Sequence, residues 1–303
     1  MTINLSVNFA GIEMKNPVTV ASGTFGSGRE YDLFYDISTL GAITTKGVSL
    51  DAWEGNEGPR ISETPCGMLN SIGLQNKGVK TFIKDDLEWL SSKNVPIIVN
   101  VSGHSIQEYV DVILALDNTC VDAFEINVSC PNVDAGGAAI GTDLKKLEKT
   151  IKLCRNASKR PMIVKLSPNV SKISEFALCA QDSGADAVSM INTILAMSID
   201  AKSRRPELKR VLGGLSGPAV KPIALKMVWE TYNTVKIPIL GMGGISSGED
   251  AIEFILAGAS AVSVGTANFT NPYAAKNVVN EIELFLKNEK VDDINELIGG
   301  LIC

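Results

Sequence analysis

The nonapeptide Phe124-Glu125-Ile126-Asn127-Val128-Ser129-Cys130-Pro131-Asn132 holds one thiol between two carboxamides. Phe124, Ile126 and Val128 alternate with Glu125 and Asn127, the period of a β-strand, and Pro131, which has no N–H to give to a ladder, ends the run. The thiol of Cys130 therefore stands where a strand becomes a loop. Asn127 and Asn132 can each donate and accept around a planar polar ligand. A free cysteine is otherwise a small buried hydrophobe, and the peptide alone leaves both readings open.

Two lysines, Lys46 and Lys165, each follow a short apolar strand. A solvated lysine is the ordinary reading of either one. Two of them at the same level of one barrel must each meet an anion or acceptor to recover the cost of desolvation, which suggests an electron-rich ligand. Gly241-Met242-Gly243-Gly244 and Val264-Gly265-Thr266 are bare-backbone turns of the kind that bind phosphate, and Gly217-Pro218 opens a helix beside them. Either glycine run alone is no more than a turn.

These residues are positioned by a repeating unit of short apolar strand, turn and helical stretch. The strands are read as 18–21, 42–45, 97–101, 123–128, 162–166, 187–191, 237–241 and 261–264. PIIVNV, PMIVKL and IPILGM are nearly continuous in apolar residues, as parallel strands covered on both faces must be. Eight βα units without a break in composition predict an α/β fold, a single (β/α)8 TIM barrel spanning residues 1–303. An open doubly wound sheet is the alternative. A short N-terminal hairpin, LSVNF and IEMKN, turns at Ala10-Gly11. Long connections run from Gly47 to about Gly78 and from about Thr193 to Gly217, both leaving the carboxyl ends of strands, where barrel enzymes keep their chemistry. The strand ends would then deliver Ser22, Lys46, Asn100, Asn127 with Cys130, Lys165, Asn192-Thr193, Gly243-Gly244 and Gly265-Thr266 to one mouth.

Composition removes several classes of function. The net charge of -6 argues against a nucleic-acid partner, which needs clustered Lys and Arg. No apolar run is long enough to span a bilayer, and MTINLSVNFAG lacks the regions of a signal peptide, so a soluble cytoplasmic protein is expected. The six cysteines show no zinc or iron–sulfur spacing, and His104 is the only histidine, leaving little for a catalytic triad or a metal site.

Taken together, ASGTFG, GMLNSIGLQN, NVSCPNV, VKLSPNV, MINT, GGLSGPAVKPIAL, GMGGI and GASAVSVGTA resemble the class 1 dihydroorotate dehydrogenases over nearly the whole chain. NVSCPNVDAGGAAIG and GGLSGPAVKPIAL resemble the type B, NAD-linked catalytic subunit more than the fumarate-using type A branch. The resemblance implies one FMN per chain, held by Ser22, Lys46, Gly47, Asn100, Asn127, Lys165, Ile191, Gly217, Gly243, Gly244, Gly265 and Thr266. It implies that dihydroorotate is held by Lys46, Asn70, Ser71, Ile72, Gly73, Leu74, Asn127, Asn132, Asn192 and Thr193, with Cys130 as the base. One departure is Cys66 in ETPCGMLN, where a small residue such as serine is expected.

Desaturating a C–C bond beside a carbonyl removes a proton from one carbon and a hydride from its neighbour. The resemblance implies that Cys130 takes the proton as thiolate, FMN accepts the hydride, and Lys46 steadies the charge that develops. The loop from Asn132 to Gly141, rich in Gly and Ala, has the composition of a closing lid. The type B likeness further implies a homodimeric core joined to a partner subunit carrying FAD and [2Fe–2S], a heterotetramer passing electrons to NAD⁺. This chain has neither a four-cysteine cluster nor a GxGxxG after a strand, so those groups belong to the partner. Competing readings are a fumarate-linked enzyme, a phosphate-binding barrel isomerase or aldolase, a flavin-dependent tRNA reductase, and a non-catalytic electron-transfer or scaffold subunit.

Overall fold

The computed structural model describes residues 3–128 and 140–302. The chain begins with a hairpin, β1 (Val7–Phe9) and β2 (Ile12–Met14), whose turn places Ala10 and Gly11 at φ 53° and 85°. Two successive positive φ angles give the turn whose twist matches that of paired strands. Val7, Phe9, Ile12 and Met14 are buried against the base of the main sheet.

Eight parallel strands follow: β3 (Val18–Val20), β4 (Ile43–Thr44), β7 (Ile97–Val101), β8 (Ala123–Asn127), β9 (Met162–Lys165), β10 (Ala187–Met190), β15 (Ile239–Met242) and β16 (Ala261–Val264). Their order around the sheet is β3-β16-β15-β10-β9-β8-β7-β4. Between the two ends, the Gly41 N–H donates to the Val18 carbonyl at 2.8 Å, so the ring closes as a (β/α)8 barrel. All eight sequence-read strands occur. The seventh starts two residues later than read, because Pro238 has no N–H; only its carbonyl serves the ladder, accepting from Val188 N at 3.1 Å.

Every residue of β7, β8, β9, β10, β15 and β16 is buried. One face of each strand fills the barrel and the other meets the helices. Glu125 and Asn127, on the face opposite Phe124 and Ile126, are therefore buried as well. The helices are punctuated by side-chain caps: Ser105 precedes Ile106–Leu116, Asp143 precedes Leu144–Ala157, and Ser247 forms a reciprocal capping box with Asp250 ahead of Gly248–Leu256.

The two long connections fold onto each other. The first contains β5 (Ile61–Thr64) and β6 (Gly67–Asn70); the second contains β11 (Ile194–Met197), a small hairpin of β12 (Ile199–Asp200) and β13 (Arg205–Pro206), and β14 (Leu212–Ser216). They make one antiparallel sheet in the order β11-β14-β6-β5. This sheet lies over the carboxyl ends of the barrel strands. At Gly214 a Cβ would meet the Thr193 side chain at 2.0 Å, so glycine is what lets β14 settle against the loop that leaves β10.

Candidate active site

A cavity of about 360 Å³ lies between the barrel mouth and the covering sheet. That volume suits a small-molecule or cofactor site. Its floor comes from the strand ends: Ser22 after β3, Lys46 and Gly47 after β4, Asn100 in β7, Asn127 in β8, Lys165 in β9 and Ile191-Asn192-Thr193 after β10. Gly243-Gly244 and Gly265-Thr266 after β15 and β16 form one side. The roof carries Asn70, Ile72, Gly73 and Leu74 from the first connection and Gly217 from the end of the second.

Two residues named from sequence, Cys130 and Asn132, lie outside the described residues, as does most of the loop 132–141. The described half of that peptide is anchored by Tyr109, whose hydroxyl donates to the Asn127 carbonyl at 2.8 Å. Ser71 does not line the cavity. It is fully buried between two lining residues, Asn70 and Ile72, as expected where an extended chain alternates its side chains. Its backbone instead ties the roof together, the N–H donating to Arg60 O at 2.8 Å and the carbonyl accepting from Asn56 Nδ2 at 2.9 Å. Cys66 is exposed at the turn between β5 and β6, and its carbonyl accepts from Ala219 N at 2.9 Å.

The two lysines differ in charge balance. Lys165 is 4% exposed, with Nζ 3.1 Å from Ser22 Oγ and 3.9 Å from the buried Glu125 carboxylate. Its charge is answered within the protein. Lys46 forms no ion pair among the described residues, and burial together with the nearby Arg60 guanidinium holds its pKa below the ordinary lysine value. Arg60, which also lines the cavity, donates to Gln75 Oε1 at 2.8 Å and to Asn56 O at 3.3 Å, both neutral acceptors. Among the described residues, the uncompensated positive charge of the site thus sits at Lys46 and Arg60, where an anionic ligand or one that gains negative charge would be favoured.

Carboxamides supply the rest of the polarity. Asn127 Nδ2 donates to Asn100 Oδ1 at 3.4 Å, and Asn192 Nδ2 donates to Asn127 Oδ1 at 3.5 Å. Asn192 Oδ1 accepts from Thr193 N at 2.8 Å. On the far side, Thr266 Oγ1 donates to Ser216 Oγ at 2.8 Å beside the two glycine turns.

Glu125, Arg60, Ser216, Met68 and Phe269 contribute to this site or its floor without having been picked out from sequence as site residues. Met68 and Ser216 lie within GMLNSIGLQN and GGLSGPAVKPIAL, and Glu125 carried a signal of its own, as an acid within an apolar strand. No group of three or more His, Cys, Asp or Glu residues among the described residues is arranged to hold a metal ion.

A barrel with a roofed, cationic and amide-rich mouth and bare glycine turns after its last two strands is suited to a phosphate-bearing ligand. The family model for dihydroorotate dehydrogenase matches residues 4–286, and the chain belongs to that family. It is similar to relatives named dihydroorotate dehydrogenase B (NAD(+)), catalytic subunit. It is 52% identical to the one from Alkaliphilus metalliredigens over 99% of each chain, and 53% identical to the one from Lachnoclostridium phytofermentans over 98% of this chain and 99% of the other. The relative of the same name from Geobacter metallireducens is 52% identical over 98% of both chains.

The family implies FMN, and the residues present fit it. Gly243 and Gly244 have φ of 129° and 83°, and a Cβ on Gly244 would lie 2.8 Å from the Gly217 carbonyl, so the backbone here closes in as only glycine allows. Backbone N–H groups and the Thr266 and Ser216 hydroxyls are suitable donors for a phosphate. The buried Asn100, Asn127 and Lys165 offer donors and acceptors to a flat heterocycle.

Proposed function

We propose that this chain is the catalytic subunit of an NAD-linked dihydroorotate dehydrogenase, oxidising (S)-dihydroorotate to orotate in pyrimidine synthesis with one FMN per chain. The observation that carries the reading is similarity along the full length to relatives that bear this activity in their names. The cavity supports it, since it has the volume, the positive charge and the amides that a planar anionic pyrimidine requires.

When bound, FMN supplies the hydride acceptor. The chain's own part is to bind, orient and move a proton. Asn70, Asn127, Asn192 and Thr193, with the backbone of Ile72 to Leu74, hold the pyrimidine amides and carboxylate so that the reacting carbons keep one position; Asn132 joins them in this proposal. Cys130, as thiolate, takes the proton from C5 while C6 gives up its hydride. Lys46 and Arg60 lower the cost of negative charge on the ligand side of the cavity. Ser22, Lys165, Gly47, Ile191, Gly217 and the glycine turns hold the cofactor.

A separate electron-transfer subunit, with FAD and [2Fe–2S], takes the electrons to NAD⁺, and two catalytic subunits form the core of a heterotetramer. The complex works in the cytoplasm; no described helix is long and apolar enough to cross a membrane. Anaerobic mixing of the flavin-loaded chain with dihydroorotate tests the reaction: the flavin band should bleach in one turnover, and NAD⁺ should be reduced only once the copurifying flavoprotein is added. A flavin band that dihydroorotate leaves unchanged would overturn the reading, and rapid reoxidation by fumarate without a partner would move the chain to the type A activity.

A further inference from the structure

Glu125 is an unusual residue for the centre of a barrel strand. It is 0% exposed, and burying a carboxylate is costly unless its oxygens are answered. Here each oxygen is. One accepts from Ser189 Oγ at 2.7 Å; the other accepts from Asn100 Nδ2 at 2.5 Å and lies 3.9 Å from Lys165 Nζ.

An ionised carboxylate can only accept hydrogen bonds, whereas a carboxamide both donates and accepts. Glu125 therefore forces Asn100 to turn its amino group inward. The Asn100 oxygen then faces outward, where it accepts from Asn127 Nδ2 at 3.4 Å. Asn127 in turn presents its oxygen to Asn192 Nδ2 at 3.5 Å. Donors and acceptors run in a single sense from the buried acid to the edge of the cavity, and reversing any one amide would set two like groups against each other. Asn100 and Asn127 are 0% and 5% exposed, so water cannot readily repair such a mismatch.

We propose that Glu125 is a positioning residue that fixes the direction of the amide row Asn100, Asn127 and Asn192, and so decides which edge of each amide a planar ligand meets. The same carboxylate holds Lys165 beside Ser22. This inference rests on the proposed function for the identity of its ligands, but the direction of the row is set within the chain, by the acid at one end and at the other by the Thr193 N–H, which donates to Asn192 Oδ1 at 2.8 Å.

The test uses the full chain and two probes. FMN is titrated into flavin-stripped protein and followed by quenching of its fluorescence; orotate is titrated into flavin-loaded protein and followed by the shift of the flavin band. Glu125→Met, which removes both acceptors, should weaken at least one probe by about tenfold or more, the worth of a buried hydrogen bond left unmade. Glu125→Gln can keep its Oε1 towards Asn100 Nδ2 and donate its amino group to Ser189 Oγ, because a hydroxyl can turn to accept, so it preserves the direction of the row and should bind both probes within about threefold of wild type. Unchanged affinity for both probes in folded Glu125→Met would overturn the inference. So would a loss in Glu125→Gln of about tenfold or more, which would mark Glu125 as a source of charge alone. If wild-type protein binds FMN but not orotate, the substrate assignment fails and the FMN titration decides the direction of the row.

Discussion

Asn70 on β6 donates its side-chain amide to the carbonyl of Gly214 on β14 at 3.3 Å, across 144 residues of sequence. The two residues are also register partners in the covering sheet. Asn70 thus stands at the junction of the two long connections while lining the cavity. Asn70→Ala should raise the KM for dihydroorotate by about tenfold, the scale of one strong hydrogen bond, with FMN retention nearly unchanged. Steady-state kinetics alongside flavin content after gel filtration check it; an equal loss of flavin would place Asn70 at the cofactor instead.

Gly214→Ala would drive a methyl group into the Thr193 side chain. Overpacking of this kind costs about 1–3 kcal/mol. Because Thr193 lines the cavity, the variant should lose dihydroorotate affinity as well as thermal stability. Differential scanning calorimetry and orotate titration should move together; a normal melting temperature with normal affinity would mean that the roof yields freely.

The pH profile of flavin reduction should have two limbs. The rising one follows ionisation of Cys130, whose free thiol value is about 8.5. The falling one follows Lys46: burial and Arg60 lower its pKa below 10.5, so its ammonium is present at low pH and is lost before an ordinary lysine would titrate. Lys46→Arg, which keeps the charge to higher pH, should push the falling limb upward, and Lys46→Ala should weaken both flavin retention and reduction. A falling limb left in place by Lys46→Arg would show that another group governs it.

Cys130→Ala should retain FMN while reduction by dihydroorotate slows at least about a hundredfold, the ordinary contribution of a general base. Stopped-flow bleaching of the flavin band measures this directly. A loss smaller than tenfold would take Cys130 out of the proton transfer.

Thiol labelling separates the other cysteines. Cys66 and Cys120 are exposed, whereas burial pushes the Cys154 thiol up to about 12. Iodoacetamide at pH 8, read by peptide mass spectrometry, should modify Cys66 and Cys120 quickly and leave Cys154 intact until the protein unfolds.

The barrel was legible because its strands are dense in apolar residues and recur in eight strand–turn–helix units. The hairpin was legible from Ala10-Gly11. The covering sheet was not. Its strands span only four or five residues and carry glycine and polar side chains, and the pairing of Gly67–Asn70 with Leu212–Ser216 joins stretches that no local pattern connects. Alternation put Glu125 and Asn127 on one face but left the role of Glu125 open, since period two says which residues share a face and not what that face meets. Lys46, Lys165 and the amides could be placed at the cavity because each lies at or just beyond the carboxyl end of a strand, and strand ends in a barrel converge. Arg60 was missed because it reaches the cavity from a connection whose path depends on the partner connection.

The roof's dependence on two distant segments has a genetic consequence. A substitution that disturbs Ile61–Asn70 removes support from Ile194–Ser216, and the reverse holds equally. Paired changes drawn from these segments should depart from simple summation, the second lesion costing less once the first has already unfastened their common seam.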